Sequence, residues 1–176
     1  MKLEFLKWFV KLGSLKNLFA SRCFSPATNG QHGLSIHTFC DASQFANSAA
    51  VFVRIEYADV VLVNLSAAKS RVAAVKIITI PLLELLAATV GAPMHRSVLS
   101  ALQWGTVKQH YCSDSNTVLG WIEREELLSI FANSRVQKIG KLTDLTLWKY
   151  LPGAQNPPDL PSRWCSAHQI SCSRWW

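Results

Sequence analysis

No run in this sequence is apolar for the roughly twenty residues a membrane span requires, although 49% of its 176 residues are hydrophobic. The N-terminal apolar stretch is cut by Lys7, Lys11 and Lys16, so it holds no signal-peptide core of about 7–15 residues. The expectation is an intracellular chain, cytoplasmic or nuclear, with no membrane partner. Cysteine is just as uninformative as a scaffold. Cys23, Cys40, Cys112, Cys165 and Cys172 are odd in number and show no C-x-x-C spacing, which argues against both a disulfide framework and a zinc site. Cys40 and Cys112 sit inside apolar, strand-like runs where a free thiol acts as a small hydrophobe, as expected in a reducing compartment. Carboxylates are scarce too: 11 acids against 18 basic side chains leave a net charge of +7. That balance favours a polyanionic partner and lets each acid be weighed singly. Neither Asp-Thr-Gly nor Asp-Ser-Gly occurs, since Asp114-Ser115 is followed by Asn116, so aspartic-protease chemistry is excluded.

The chain is long enough for one domain with a full core and too short for two ordinary ones. It carries no internal repeat and no low-complexity tract. Turn formers crowd residues 25–33, marking a boundary before the domain. Leu34 to Asp41, Ala49 to Ile55 and Val60 to Leu65 then read as three short strands, with a hairpin loop at 56–59. At Thr79-Ile80-Pro81 the period changes, and Leu82 to Val90 reads as a helix with proline near its first turn. Val107 to Cys112 is a fourth strand, and Ser113 to Asn116 can cap a helix over Thr117 to Arg124. More helix follows over Glu125 to Lys141, a fifth strand over Thr146 to Leu151, and a last short helix starting near Asp159. The order β-β-β-α-β-α-β-α describes an α/β fold, an antiparallel meander followed by parallel additions.

Four acids stand out in that frame. Asp41 closes the first strand, where a buried charge is costly unless compensated; the alternative is an acid that merely ends the strand in a turn. Glu84 is the only charged residue between Lys76 and His95, in a helix apolar enough all round to be buried. A buried Glu needs a partner, and no Arg or Lys lies three or four residues away. A hard cation answers that need; a wet edge is the alternative. Asp114 and Asp159 each stand where a helix begins, so each can be an ordinary cap. Their arrangement says more than any one of them. If the first and fourth strands are parallel neighbours, Asp41 and Asp114 project from one sheet edge, and Glu84 on the connecting helix can reach them. Carboxylates converging there repel unless cations fill the space, and two Mg²⁺ ions, with Mn²⁺ as a substitute, suit phosphodiester hydrolysis.

The segments HTFCDAS (37–43), AAKSRVA (67–73), IPLLELLAA (80–88), CSDSNTVLGWI (112–122) and YLPGAQNPPDLPSR (150–163), in this order, resemble the ribonuclease H-like region of BEL/Pao retrotransposon polyproteins. The resemblance implies a ribonuclease H-like fold with a five-stranded mixed sheet flanked by helices. It implies a catalytic, metal-holding set on Asp41, Glu84, Asp114 and Asp159, and degradation of the RNA strand of RNA–DNA hybrids beside an upstream reverse transcriptase. Residues 1–33 are then a connector from that polymerase region, 34–166 the domain, and 167–176 a truncated tail. Lys69, Arg71, Lys76 and Arg163 are expected to contact phosphates around the site.

The sequence departs from the family in four places. Asn47-Ser48-Ala49 replaces a usual Tyr-Gly-Ala turn, and Leu82 stands where Arg is usual. No histidine lies between His110 and Asp159, where many ribonucleases H carry one. The chain ends on Arg174-Trp175-Trp176. These features keep a second expectation alive: a decayed, catalytically inactive fragment that only binds nucleic acid.

Overall fold

The structure is a computed structural model that describes residues 2–13, 33–57, 59–73, 78–103, 106–123, 128–163, 165–166, 168–169 and 172. After helix α1 (Lys2–Lys11), three strands form the meander: β1 (Gly33–Ala42), β2 (Ala46–Tyr57) and β3 (Val60–Val72). The long helix α2 (Ile80–Leu102) crosses over to β4 (Lys108–Ser113), followed by α3 (Asn116–Glu123), α4 (Ile130–Gly140), β5 (Trp148–Tyr150) and α5 (Asp159–Ser162). The five strands make one sheet in the order β3-β2-β1-β4-β5. β1 pairs antiparallel with β2 and parallel with β4, and β5 is parallel to β4. The expected mixed sheet is therefore present.

Alternation along β1 decides what each face meets. Ile36, Thr38 and Cys40 are fully buried, while Ser35, His37, Phe39 and Asp41 point to the opposite face, as the two-residue period of a strand demands. Helix α2 lies on the first face and brings Ala87, Ala88, Gly91 and Ala92 against the sheet, all buried. Those small side chains let the helix come close. A Cβ at Gly91 would stand 2.5 Å from Cys40 Sγ, so this glycine is required by proximity and not by backbone conformation. Further along, Tyr111 of β4 stacks on Trp148 of β5 at 5.1 Å, and Trp148 Nε1 donates to Thr143 Oγ1. His95 is closed into the core between Thr38 and Gln109.

Several elements differ in extent from the sequence reading. β3 runs on to Val72 because Ala67 and Ala68, though weak strand formers, keep pairing with β2 past an irregularity at Val51/Phe52 that leaves Ser66 out of register. α2 continues twelve residues past Val90, to Leu102, with Pro93 inside it. α4 begins only at Ile130, capped by the Ser129 hydroxyl accepting from Ala132 N–H; residues 124–127 lie outside the described set. The fifth strand shrinks to Trp148–Tyr150, since the Asp144 carboxylate captures the Thr146 N–H and draws 145–147 into a 3₁₀ turn. Among the described residues, no helix is long and apolar enough to cross a membrane.

Candidate carboxylate site

The carboxyl ends of the parallel pair β1 and β4 carry Asp41 and Asp114, with Cys40 in register with Ser113. Asp41 is buried, 4% exposed, and its carboxyl lies within hydrogen-bonding range of that of Asp114. Asp41 Oδ2 and Asp114 Oδ1 are buried oxygens with no hydrogen-bond partner. Burial pushes the Asp41 carboxyl up to about 7; the Ser162 hydroxyl pulls the other way, and Asp114 and then Asp159 add to the rise. Glu84, in the second turn of α2, is also raised, by burial first, opposed by a hydrogen bond from Ser115 and reinforced by Asp114. All four acids thus belong to one electrostatic neighbourhood at one end of the sheet.

The simpler roles these acids could have filled belong to serines. The turn after β1 is closed by Ser43, whose N–H donates to Ala46 O and whose hydroxyl accepts from Phe45 N–H. Helix α3 is capped by the Ser115 hydroxyl, which accepts from Val118 N–H. Helix α5 has Pro158 at its cap position with no side-chain cap bond. Asp41, Asp114 and Asp159 are therefore free of capping duty.

Asp114 is held by close packing. A Cβ at Gly153 would stand 2.9 Å from Asp114 Oδ2, so only a residue without a side chain leaves this carboxylate where it is. Asp159 is placed by α5, and α5 is tied to the strands by hydrogen bonds although its prolines read locally as a loose turn. Asn156 is buried and donates from Nδ2 to Cys40 O at 3.0 Å. Ser43 Oγ donates to Ser162 O, and Ser48 Oγ to Ser70 Oγ, which in turn reaches Pro161 O at 3.4 Å. Gly153, Asn156 and Ser162 were missed as positioning residues; the segment GAQNPPDLPS shows turn chemistry but not which strand it lies on.

Glu84 and Asp159 have partners of their own. Glu84 is turned to Ser115, and Asp159 Oδ1 meets Arg163 Nε at 2.7 Å. As the side chains stand, no three His, Cys, Asp or Glu groups among the described residues gather closely enough to hold one ion. The donor chemistry nevertheless fits a hard cation: two carboxylates within hydrogen-bonding range of each other, each with an orphaned oxygen, and two more in the same electrostatic neighbourhood.

The expected phosphate contacts divide. Arg163 is at the acids. Lys69 and Arg71 of β3 pair with Ala49 and Asn47 of β2, on the sheet face that α2 covers. There, with Lys138 of α4, they line a groove of about 470 Å³ against Leu86 and Val90. Lys138 was not singled out in the sequence. Lys76 lies outside the described residues.

A sheet of this order, with acids grouped at the carboxyl ends of its central parallel strands, defines a ribonuclease H-like domain. Within that class the chain belongs to the family described as the Pao retrotransposon-like RNaseH-like domain, whose sequence profile matches residues 3–115. No curated protein matches the chain. Among solved structures it is similar to the N-terminal RNase H domain of Rv2228c from Mycobacterium tuberculosis, at 14% identity and a TM-score of 0.46, covering 70% of this chain and 86% of that one. It is also similar to LC11-RNase H1, crystallised with an RNA/DNA hybrid, at 14% identity and TM-score 0.45, covering 70% and 88%. RNase H1 of the archaeon Halobacterium salinarum matches at 12% identity and TM-score 0.41, covering 74% and 98%.

Proposed function

We propose that this domain hydrolyses the RNA strand of RNA–DNA hybrids, assisted by two Mg²⁺ ions, as one part of a polyprotein with an upstream reverse transcriptase. In that reading residues 1–33 are the connector, 34–166 the nuclease domain and 167–176 a tail. The observation that carries it is the pair of buried, donorless oxygens on Asp41 and Asp114, which face each other at the end of the sheet. Two like charges at that range are unfavourable without a cation or a shared proton. Divalent ions bound there would supply activation of the attacking water and neutralisation of the leaving oxygen.

The chain's own residues do the rest. Asp41 and Asp114 hold the centre, fixed by β1, β4 and the Gly153 contact. Glu84 and Asp159 swing inward from Ser115 and Arg163 to complete the set. Arg163, once released, faces the phosphates of the substrate. Attack at phosphorus with rupture of the bond to the 3′ oxygen leaves 5′-phosphate and 3′-hydroxyl ends. The groove of Lys69, Arg71 and Lys138 adds cations that track a phosphate backbone, giving affinity that falls as salt rises and shows little sequence preference.

The test is incubation with end-labelled RNA–DNA hybrid, with Mg²⁺ or with excess EDTA. Expected is cleavage of the RNA strand only, lost in EDTA and reduced at least 100-fold in Asp41→Asn. Cleavage that persists in EDTA sinks the reading. A second reading, a nucleic-acid-binding remnant without catalysis, is favoured by one observation: among the described residues no three His, Cys, Asp or Glu side chains gather closely enough to hold one ion. Salt-sensitive hybrid binding with no cleavage at any Mg²⁺ or Mn²⁺ concentration selects it.

A further inference from the structure

The sheet face opposite α2 carries rings that the carboxylate chemistry does not use. His37 of β1 stacks on His110 of β4, centroids 4.5 Å apart and planes 16° from parallel. Phe39 continues the row on β1, 6.4 Å from His37 at 13°, and meets Phe52 of β2 edge-on at 5.7 Å. His37, Phe39, Phe52, Arg54, Val63 and Pro157 surround a shallow cavity of about 150 Å³. That is below the range of about 300–1,000 Å³ that drug-sized ligands occupy, and it suits one planar ring system. Phe39 lies two residues before Asp41 on the same strand face, about 6.6 Å along β1 at the usual rise.

We propose that this cavity holds a nucleobase from an unpaired stretch of the nucleic-acid substrate, stacked on Phe39 and His37, with the backbone running on to the acids. The inference rests on the nucleic-acid reading above and names a further subsite for it. Aromatic side chains on an open sheet face are a recurring platform for unstacked bases, because every base offers a π-face whatever its sequence. The charge around the cavity agrees. Arg54 stands in its wall, paired with Glu56 on the same strand. Lys108 and Lys149, in register with Ser35 and Cys112, put two more cations on this face. Burial, and then His110, hold His37 down to about 4, so near neutral pH its imidazole is an uncharged stacking surface. The arrangement differs from the groove of Lys69, Arg71 and Lys138, which offers cations and no rings.

The experiment is a titration of the whole chain with single-stranded hexadeoxyadenylate in EDTA, following the imidazole proton resonances of His37 and His110 by NMR. An abasic hexamer of the same charge is the control. Expected are upfield shifts of both imidazoles with the adenine hexamer and none with the abasic one, and at least fivefold weaker binding in Phe39→Leu. Unmoved resonances at saturating hexamer, or equal shifts with the abasic strand, overturn the proposal. The wild-type comparison stands even if Phe39→Leu fails to fold. Because EDTA is present throughout, stacking without any hybrid cleavage in Mg²⁺ would sink hydrolysis alone, whereas cleavage without stacking would sink only the subsite.

Discussion

Two glycines make opposite kinds of close approach, and their alanine variants should part accordingly. At Gly153 an added methyl meets Asp114 Oδ2 at 2.9 Å, in a partly exposed turn that can give way. Gly153→Ala is expected to displace Asp114 and lower hybrid cleavage at least tenfold, while the thermal midpoint moves by only a few degrees. At Gly91 the methyl meets Cys40 Sγ at 2.5 Å and Thr38 Cγ2 at 3.1 Å in the packed layer between α2 and β1. Overpacking of this kind costs about 1–3 kcal/mol, so Gly91→Ala should lose stability in urea titration. Equal loss of stability in both variants would contradict the distinction. Buried His95 makes a third residue-scale expectation. Its Nε2 and the Tyr111 hydroxyl both reach Gln109 Oε1, and Thr38 Oγ1 lies 2.8 Å from its Nδ1. An amide oxygen only accepts, so Nε2 carries the proton and Nδ1 accepts from Thr38. Burial holds the ring down to about 4, against the effect of Gln109. The unfolded chain takes up that proton first, near pH 6.5, so this contribution to stability is complete above about 6.5 and shrinks as pH falls toward about 4. His37 adds a component of the same sign. The stability difference between wild type and His95→Gln should therefore be larger at pH 7 than at pH 5 in urea titrations; an equal difference at both would contradict it.

At the scale of elements, α5 decides how much Asp159 matters. The sequence sets Asp159 among Pro157, Pro158 and Pro161, and on that ground it looks less firmly held than Asp41. The folded chain answers through residues whose partners lie more than ninety positions away: Asn156 on Cys40 O, Ser43 on Ser162 O, Ser70 on Pro161 O. Such bonds are invisible to local reading, because turn residues announce a turn and not the strand beneath it. Asp159→Asn should accordingly reduce cleavage to within tenfold of Asp41→Asn. Asn156→Ala, which leaves every acid in place, should cost at least tenfold in activity by letting α5 drift. Wild-type rates in Asn156→Ala would show that α5 is held by its other contacts. Strands and helices were far more legible. β1 and β2 were read in place from their apolar periods, whereas α2, β3 and β5 were found but misjudged in length. Small residues at 66–68 carry no strand preference of their own, and the cap formed by Asp144 is a competition that only the folded loop reveals.

For the whole molecule, the carboxylate end of the sheet gathers like charge that, in the proposed function, cations would relieve. The folded chain holds Asp41 protonated up to about 7, above the ordinary carboxylate value, so whatever stability this burial leaves below about pH 4 is lost as pH rises through 7. Addition of millimolar Mg²⁺ at pH 8 should raise the thermal midpoint by several degrees. In Asp41→Asn, the Mg²⁺-free protein should already melt higher and respond little to the ion. A wild-type midpoint indifferent to Mg²⁺ would mean that the acids hold no cation. In the sequence, strand ends single out Asp41 and Asp114 and the lone charge in α2 singles out Glu84, whereas Asp159 joins them only through the family resemblance. That Glu84 and Asp159 rest on Ser115 and Arg163 could not be read there, because it depends on side-chain rotation.

The sheet order has a consequence for a chain still being made. The β1–β2–β3 meander needs nothing beyond residue 72, yet Asp41 meets Asp114 only after α2 has crossed over, and Asp159 only after β5 and its turn have been added. The three acids are separated by 73 and 45 positions in the chain (114 − 41 and 159 − 114). A partly synthesised or clipped copy therefore carries the strands without the finished acid cluster. Whatever chemistry the acids perform, it waits until β4, β5 and α5 have joined the sheet that the meander began.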